Sequence, residues 1–274
     1  MGRLGNQMFQ FASTVGIGIE RNIEVRFPIE NCLSTQPTGP FDPLQGKNTE
    51  VKCELLEGFQ ISPEYFIPQR HLQIFSTYHE NCFTYDSGTR NISENTSLYG
   101  YFQTEKYFSG CRDIILNQFR FKDDYRKKAE ILFGDIRSYS GNKPVVSLHV
   151  RRGDYLMYQD HHPSCSLEYY SKAIEKIRSL LGDCVFVIFS DDILWCSDNF
   201  KGKDFKICSR ESHFTEMCMM TLCDHNIIAN SSFSWWGAWL NESINKIVIA
   251  PDKWFGPSMN KDTSDVYCKN WIKF

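Results

Sequence analysis

The chain has 274 residues, 42% of them hydrophobic and 15% aromatic, with 30 basic against 33 acidic side chains and a formal net charge of -3. That is apolar material for one large core or two modest ones, without the basic excess of a nucleic-acid binder. No run reaches the ~18 apolar residues that span a bilayer, and no basic-then-apolar leader opens the chain. The expectation is a soluble, cytoplasmic protein acting on a small molecule or a glycan.

The chain opens on Gly2-Arg3-Leu4-Gly5-Asn6-Gln7-Met8, after which Met8, Ala12, Val15 and Ile19 recur at helical spacing. A Gly-rich loop thus feeds a helix and presents Arg3 and Asn6 at its mouth. Irregular sequence follows, rich in Pro, Gly and Asn from Ser34 to Asn48, then Gly100-Tyr-Phe-Gln-Thr-Glu-Lys-Tyr-Phe108 and a charged helical stretch from Asp123 to Ile136. Ser138 to Lys143 is small and polar and precedes a Pro. It is the predicted linker, dividing the chain into domains 1–138 and 144–274.

The second half alternates. Short β-branched or apolar runs at Val145–Val150, Val185–Phe189, Asn226–Ala229 and Ile247–Ala250 read as buried strands. Helical patterns lie at 167–181, 213–223 and 234–240. The first of these is capped by Ser166 and has Leu167, Tyr170, Ile174, Ile177 and Leu181 on one face. Apolar strands separated by helices predict a parallel sheet covered on both faces. Such sheets bind ligands outside the carboxyl ends of their strands.

Three strand ends carry candidate chemistry. After Val145–Val150 comes His149-Val-Arg151-Arg152-Gly-Asp154-Tyr155. Adjacent guanidinium forks fit phosphate oxygens bidentately, and Asp154 would orient one of them; an Arg–Asp structural pair is the alternative. After Val185–Phe189, Asp191 and Asp192 either accept from a base or ribose or cap a helix. After Asn226–Ala229, the run Asn230-Ser231-Ser232-Phe233-Ser234-Trp235-Trp236-Gly237-Ala238-Trp239 sets hydroxyls and amides at a helix start, an anion seat. Its tryptophans are expected in the core, with Gly237 and Ala238 packing that helix closely on its sheet.

Eleven cysteines leave at least one thiol unpaired. With no Cys-x-x-Cys pair and no zinc spacing, most read as buried small hydrophobes in reducing surroundings. Sequons stand at Asn91, Asn95, Asn230 and Asn241, and Asn230 is expected to be buried. No Asp-x-Asp occurs, so no carboxylate pair is set out for a metal-bound sugar nucleotide.

Taken in order, Gly-Arg-Leu-Gly-Asn-Gln-Met-Phe-Gln, Gly100–Phe108, the His149–Tyr155 run, Asn226–Ala238 and Lys246-Ile-Val-Ile-Ala-Pro-Asp-Lys-Trp-Phe255 resemble the α-1,2-fucosyltransferase family, glycosyltransferase family 11. They resemble the α-1,6- and protein O-fucosyltransferases more distantly. The resemblance implies a GT-B-like α/β fold of two Rossmann-like domains facing a cleft, an acceptor-side N-terminal one and a GDP-binding C-terminal one. It implies inverting, metal-independent transfer of L-fucose from GDP-β-L-fucose to the 2-hydroxyl of a galactose-terminated glycan, with no cofactor. By motif position, Arg151 grips the β-phosphate, supported by Arg152 and Asp154. His149 and one carboxylate of Asp191 or Asp192 meet the guanine, Ser231, Ser232 and Phe233 close over the nucleotide, and Arg3 and Asn6 approach the diphosphate and fucose. No carboxylate stands out as general base, and early departure of GDP is the expected course.

The family has a β-strand ahead of the first motif, which Met1 abuts here. Either the start is truncated or misassigned or the first sheet is one strand short, and near-normal GDP binding with weak transfer is expected. Animal relatives are Golgi membrane proteins, which makes a Golgi lumen origin the alternative to the cytoplasm. Another GDP-sugar or linkage, or a GDP- or glycan-binding protein without catalysis, are the competing readings.

Overall fold

The structure, a computed structural model, describes residues 2–33, 35, 41–42, 47–48, 50–208 and 210–274. The chain forms two compact units, Met1–Lys122 with Asp262–Cys268 and Asp123–Lys261 with Lys269–Phe274. The division thus falls ahead of the charged helix, not at Ser138–Lys143 after it. The reason is packing: that helix lies on a helix of the second unit, with the Tyr125 and Phe214 rings 4.9 Å apart, and Arg137 pairs with Asp224.

The first unit is organised by helix α1 (Leu4–Arg21), whose Met8, Phe9, Phe11, Ala12 and Val15 are buried. Ile19, expected on the same face, is half-exposed. Gly16 lets the 107–108 backbone come in close, since a Cβ there would lie 2.1 Å from the Tyr107 carbonyl oxygen. The strands β1 (Phe27–Pro28), β2 (Phe41–Asp42), β3 (Lys47–Asn48), β4 (Phe66–Ile67), β5 (Ser76–His79) and β6 (Thr96–Tyr99) form three two-stranded pieces. β1 pairs with β4 and β5 with β6 in parallel, while β2 and β3 are antiparallel. Short helices α2 (Glu30–Leu33), α3 (Leu55–Gly58) and α4 (Arg112–Gln118) complete it. Aromatic packing takes the place of a broad sheet: Phe11 meets Phe27, Tyr65 and Phe119 at centroid distances of 5.1, 5.3 and 5.6 Å.

The second unit begins with α5 (Asp123–Ser140). It then runs β7 (Val145–Val150), α6 (Leu167–Leu181), β8 (Val185–Ser190), α7 (Ile193–Asn199), β9 (Phe205–Ile207), α8 (His213–Leu222), β10 (His225–Ile227), α9 (Ser232–Trp239), β11 (Val248–Ala250) and β12 (Ile272–Lys273). All six strands are parallel, in the order β12-β11-β10-β7-β8-β9. Counted from β7 this is the 3-2-1-4-5-6 order of a Rossmann sheet, with its topological switch between β7 and β10. β7 is buried along its whole length. Ser166 Oγ accepts from the Tyr169 amide at 3.2 Å and starts α6. That helix lays Tyr170, Ala173, Ile174 and Ile177 against Leu148, Phe186 and Ile188. Each such large apolar side chain contributes about 1.5–3 kcal/mol by leaving water.

Trp235, Trp236 and Trp239 are buried, as expected of core residues. Gly237 has a different role from the expected one: a Cβ there would lie 2.8 Å from Met220 Sδ, so the close packing it permits is against α8 and not against the sheet. All eleven cysteines are free thiols, seven of them buried. Of the sequons, Asn230 and Asn241 are buried while Asn91 and Asn95 are exposed. No helix among the described residues is long and apolar enough to cross a membrane.

Candidate active site

The switch between β7 and β10 puts the three expected strand ends side by side. β7 delivers His149 and then Arg151 and Arg152, β8 delivers Asp191 and Asp192, and β10 leads into Asn230 and Ser231. Arg151 is held from two sides. Its Nη2 donates to Asp154 Oδ1 at 2.5 Å, and its Nη1 lies 2.9 Å from Asp191 Oδ2. Asp191 also accepts the Arg152 amide at 2.9 Å, which fixes the turn itself. Arg152 Nε donates to Asp192 Oδ2 at 3.0 Å, and its guanidinium lies 4.2 Å from the centre of the Trp195 ring.

The expected Arg–Asp pairing is therefore real, and so is the capping role of Asp192, which accepts from the Trp195 amide at 3.1 Å. Neither excludes an anion. A guanidinium carries five N–H donors, and among the described residues these pairs engage two of Arg151 and one of Arg152. Asp191 and Asp192, one of which was assigned to the guanine, both take arginine partners here. Gly153 makes the arrangement fit: a Cβ there would sit 2.6 Å from Asp191 Oδ2.

His149 is 6% exposed, and its Nδ1 has no hydrogen-bond partner among the described residues. Burial, with the Arg151 charge adding to it, pushes the imidazole down to about 3, so the ring is neutral near pH 7. Its backbone carbonyl accepts from Tyr170 Oη at 3.1 Å. Phe233 packs beside it, ring centres 5.6 Å apart. A buried polar nitrogen left unpaired costs free energy.

On the β10 side, the Asn230 amide donates to the carbonyls of Pro163 and Trp254 at 2.9 and 3.1 Å, so this sequon serves as a tie between loops. Ser231 starts α9 without a side-chain cap, and the first turn contains no acidic residue. Ser232 and Phe233 are half-buried beside it. Tyr155 Oη donates to the Asn230 carbonyl at 3.0 Å, linking the β7 loop to the β10 loop, while its ring packs 5.4 Å from the Arg151 guanidinium. Sequence reasoning gave no part to Tyr155 or Trp195. Their signal is position: Tyr155 follows Asp154 directly, and Trp195 stands three residues after the cap.

Arg3 and Asn6 lie at the start of α1 in the first unit. Arg3 is exposed, its carbonyl accepting the Asn6 and Gln7 amides at 2.9 and 3.1 Å. Asn6 Oδ1 accepts from Gln103 Nε2 at 2.9 Å, which joins the opening motif to the Gly100–Phe108 motif. Gln7 is buried and clamps a neighbouring segment, donating to the Lys52 carbonyl at 2.9 Å and accepting the Glu54 amide at 2.7 Å.

Residues 51–274 match the model of glycosyl transferase family 11. The chain belongs to this family. It is 30% identical over 269 residues to an alpha-1,2-colitosyltransferase of Escherichia coli, covering 93% of this chain and 90% of that one. It is 36% identical over 189 residues to the O-antigen biosynthesis glycosyltransferase WbnK of the same organism, covering 66% of this chain and 61% of WbnK. To galactoside alpha-(1,2)-fucosyltransferase 2 of Oryctolagus cuniculus it is 24% identical, covering 88% of this chain and 65% of that one. The fold is that of solved fucosyltransferases of GT-B type. NodZ from Bradyrhizobium matches at a TM-score of 0.53 and 14% identity over 86% of this chain and 90% of its own. POFUT1 in complex with GDP matches at 0.52 and 12% over 90% and 94%. The Arg151 and His149 geometry thus belongs to a family 11 glycosyltransferase, in the unit with the Rossmann sheet.

Proposed function

We propose that this chain is an inverting glycosyltransferase that moves L-fucose from GDP-β-L-fucose to the 2-hydroxyl of a terminal galactoside. The observation that carries the reading is Arg151, held by Asp154 and Asp191 beside the unpartnered nitrogen of a neutral, buried His149 at the sheet's switch point. The bond from the sugar C1 to the diphosphate oxygen breaks, and its electron pair leaves with GDP. The Arg151 and Arg152 forks neutralise the charge that develops there, a task in which loss of one donor costs ~3–4 kcal/mol. The acceptor oxygen bonds C1 from the opposite face, turning β into α, and its proton passes to water, with GDP already departing.

His149 and the first turn of α9, with Ser231, Ser232 and Phe233, are assigned to the nucleotide. Arg3 and Asn6 are assigned to the diphosphate and the fucose, on the resemblance alone. No cofactor enters the scheme. A second reading, a different GDP-6-deoxysugar as donor, is favoured by the 30% identity to the colitosyltransferase. Turnover with GDP-L-fucose, GDP-colitose and GDP-mannose, with lactose as acceptor and NMR of the product linkage, separates them. The proposal expects GDP-L-fucose to be used best and an α-1,2 product. Faster use of GDP-colitose moves the assignment to the second reading, and GDP binding without turnover of any donor removes catalysis from it.

A further inference from the structure

Outside the donor site, two thiols of the first unit have been brought together. The Cys53 amide donates to the carbonyl of Asn31, the residue before Cys32, at 2.9 Å. The two side chains are then neighbours, close enough for each thiol to affect the other's ionisation. Cys32 is half-buried and Cys53 is buried. They differ in chemistry accordingly. The neighbouring Cys53 thiol and the charge of Lys52 hold the Cys32 thiol below its ordinary range, while the Cys32 thiol and burial raise Cys53. Burial raises the thiols of Cys111, Cys165, Cys184, Cys196, Cys208, Cys218 and Cys223. A reachable thiol set beside a sheltered one by a backbone hydrogen bond is the arrangement of an attacking and a resolving cysteine.

We propose that Cys32 and Cys53 are an oxidisable dithiol that closes to a disulfide by exchange with a small disulfide such as oxidised glutathione. The Cys32 thiolate attacks one sulfur of that disulfide, forming a mixed disulfide and expelling the first glutathione thiolate. The Cys53 thiol, giving up its proton, attacks the Cys32 sulfur and expels the second glutathione thiolate. The protein is oxidised by two electrons and two glutathione thiols are released. The position gives the bond a consequence. Cys53 stands between Lys52 and Glu54, the two residues whose backbone Gln7 clamps, so the disulfide ties α2 to the support of the opening motif.

The test treats the full chain with oxidised glutathione under native conditions, digests it without reduction and maps linked peptides by mass spectrometry. Brief alkylation of the reduced protein beforehand ranks the thiols. The expected results are a Cys32–Cys53 linked peptide as the first disulfide to appear, and Cys32 as the fastest-alkylated thiol. In Cys53→Ser, glutathione should remain attached at Cys32, and in Cys32→Ser neither product should form. Thermal unfolding of each variant shows that it is folded. A folded protein in which Cys32 is alkylated no faster than Cys82, or in which other thiols oxidise while Cys32 and Cys53 stay reduced, overturns the proposal.

Discussion

Asp191 Oδ2 lies 2.9 Å from Arg151 Nη1, joining the end of β8 to the end of β7. The same carboxylate accepts the Arg152 amide, and Gly153 leaves the space it occupies. One aspartate thus sets both the direction of a guanidinium and the shape of the turn that carries it.

Asp191→Asn keeps an acceptor for the Arg152 amide but loses the charged partner of Arg151. Hydrogen bonds to charged groups are worth about 1.5–3 kcal/mol, so turnover should fall roughly 10- to 100-fold. The melting temperature should move little. Steady-state kinetics on the purified variant, with circular dichroism as the fold control, checks this. Full activity in Asp191→Asn would assign Arg151's orientation to Asp154 alone.

His149 gives a prediction in pH. Its native value is depressed to about 3 from an ordinary 6.5. Between these values the unfolded chain holds a proton that the native one does not, so stability falls as pH drops from 6.5 towards 3. Each unit of difference is worth about 1.4 kcal/mol, and the native chain should lose about 2–3 kcal/mol from this group between pH 7 and pH 4.5. His149→Phe removes the contribution while leaving the carboxylates in place. Urea unfolding of both proteins at the two pH values should show the smaller loss in the variant. Equal losses would mean that His149 titrates normally in the native state.

The second unit was far more legible in the sequence than the first. β7 and α6 fall on their predicted residues because a continuous β-branched run and a Ser-capped 3.6-residue period are local signals. β9 and β12 escaped because Phe-Lys-Ile and Ile-Lys carry too little pattern, and they are strands only through pairing with β8 and β11. The units divide ahead of α5, not after it, because the packing of α5 on α8 is a long-range contact without local signal, and α5 runs to Ser140, past its predicted end and into the predicted linker. The candidate-site residues came from residue types at strand ends. Their partners, Tyr155 under Arg151 and Trp195 under Arg152, follow from folded geometry and left only a positional trace.

Metal dependence follows from the charge that the proposed function sets against the diphosphate. With two guanidinium forks at the switch point as its neutralisers, transfer should persist in excess chelator. Rates measured in EDTA and with added manganese should agree within about twofold, well under the ~10-fold that a 1.4 kcal/mol barrier change produces. Loss in EDTA with recovery on manganese would assign the neutralising charge to a cation.

The most direct measurement is Arg151→Lys, compared with the parent chain for GDP affinity and for GDP-L-fucose turnover. Lysine keeps the positive charge but not the planar fork that Asp154 and Asp191 hold in place. The expected result is a loss of at least ~100-fold in turnover, the magnitude of removing one transition-state donor, in a protein that unfolds at nearly the parent temperature. A Lys variant that retains most of its turnover would make Arg151 a structural partner of its two aspartates and contradict the assignment of this strand end to the diphosphate.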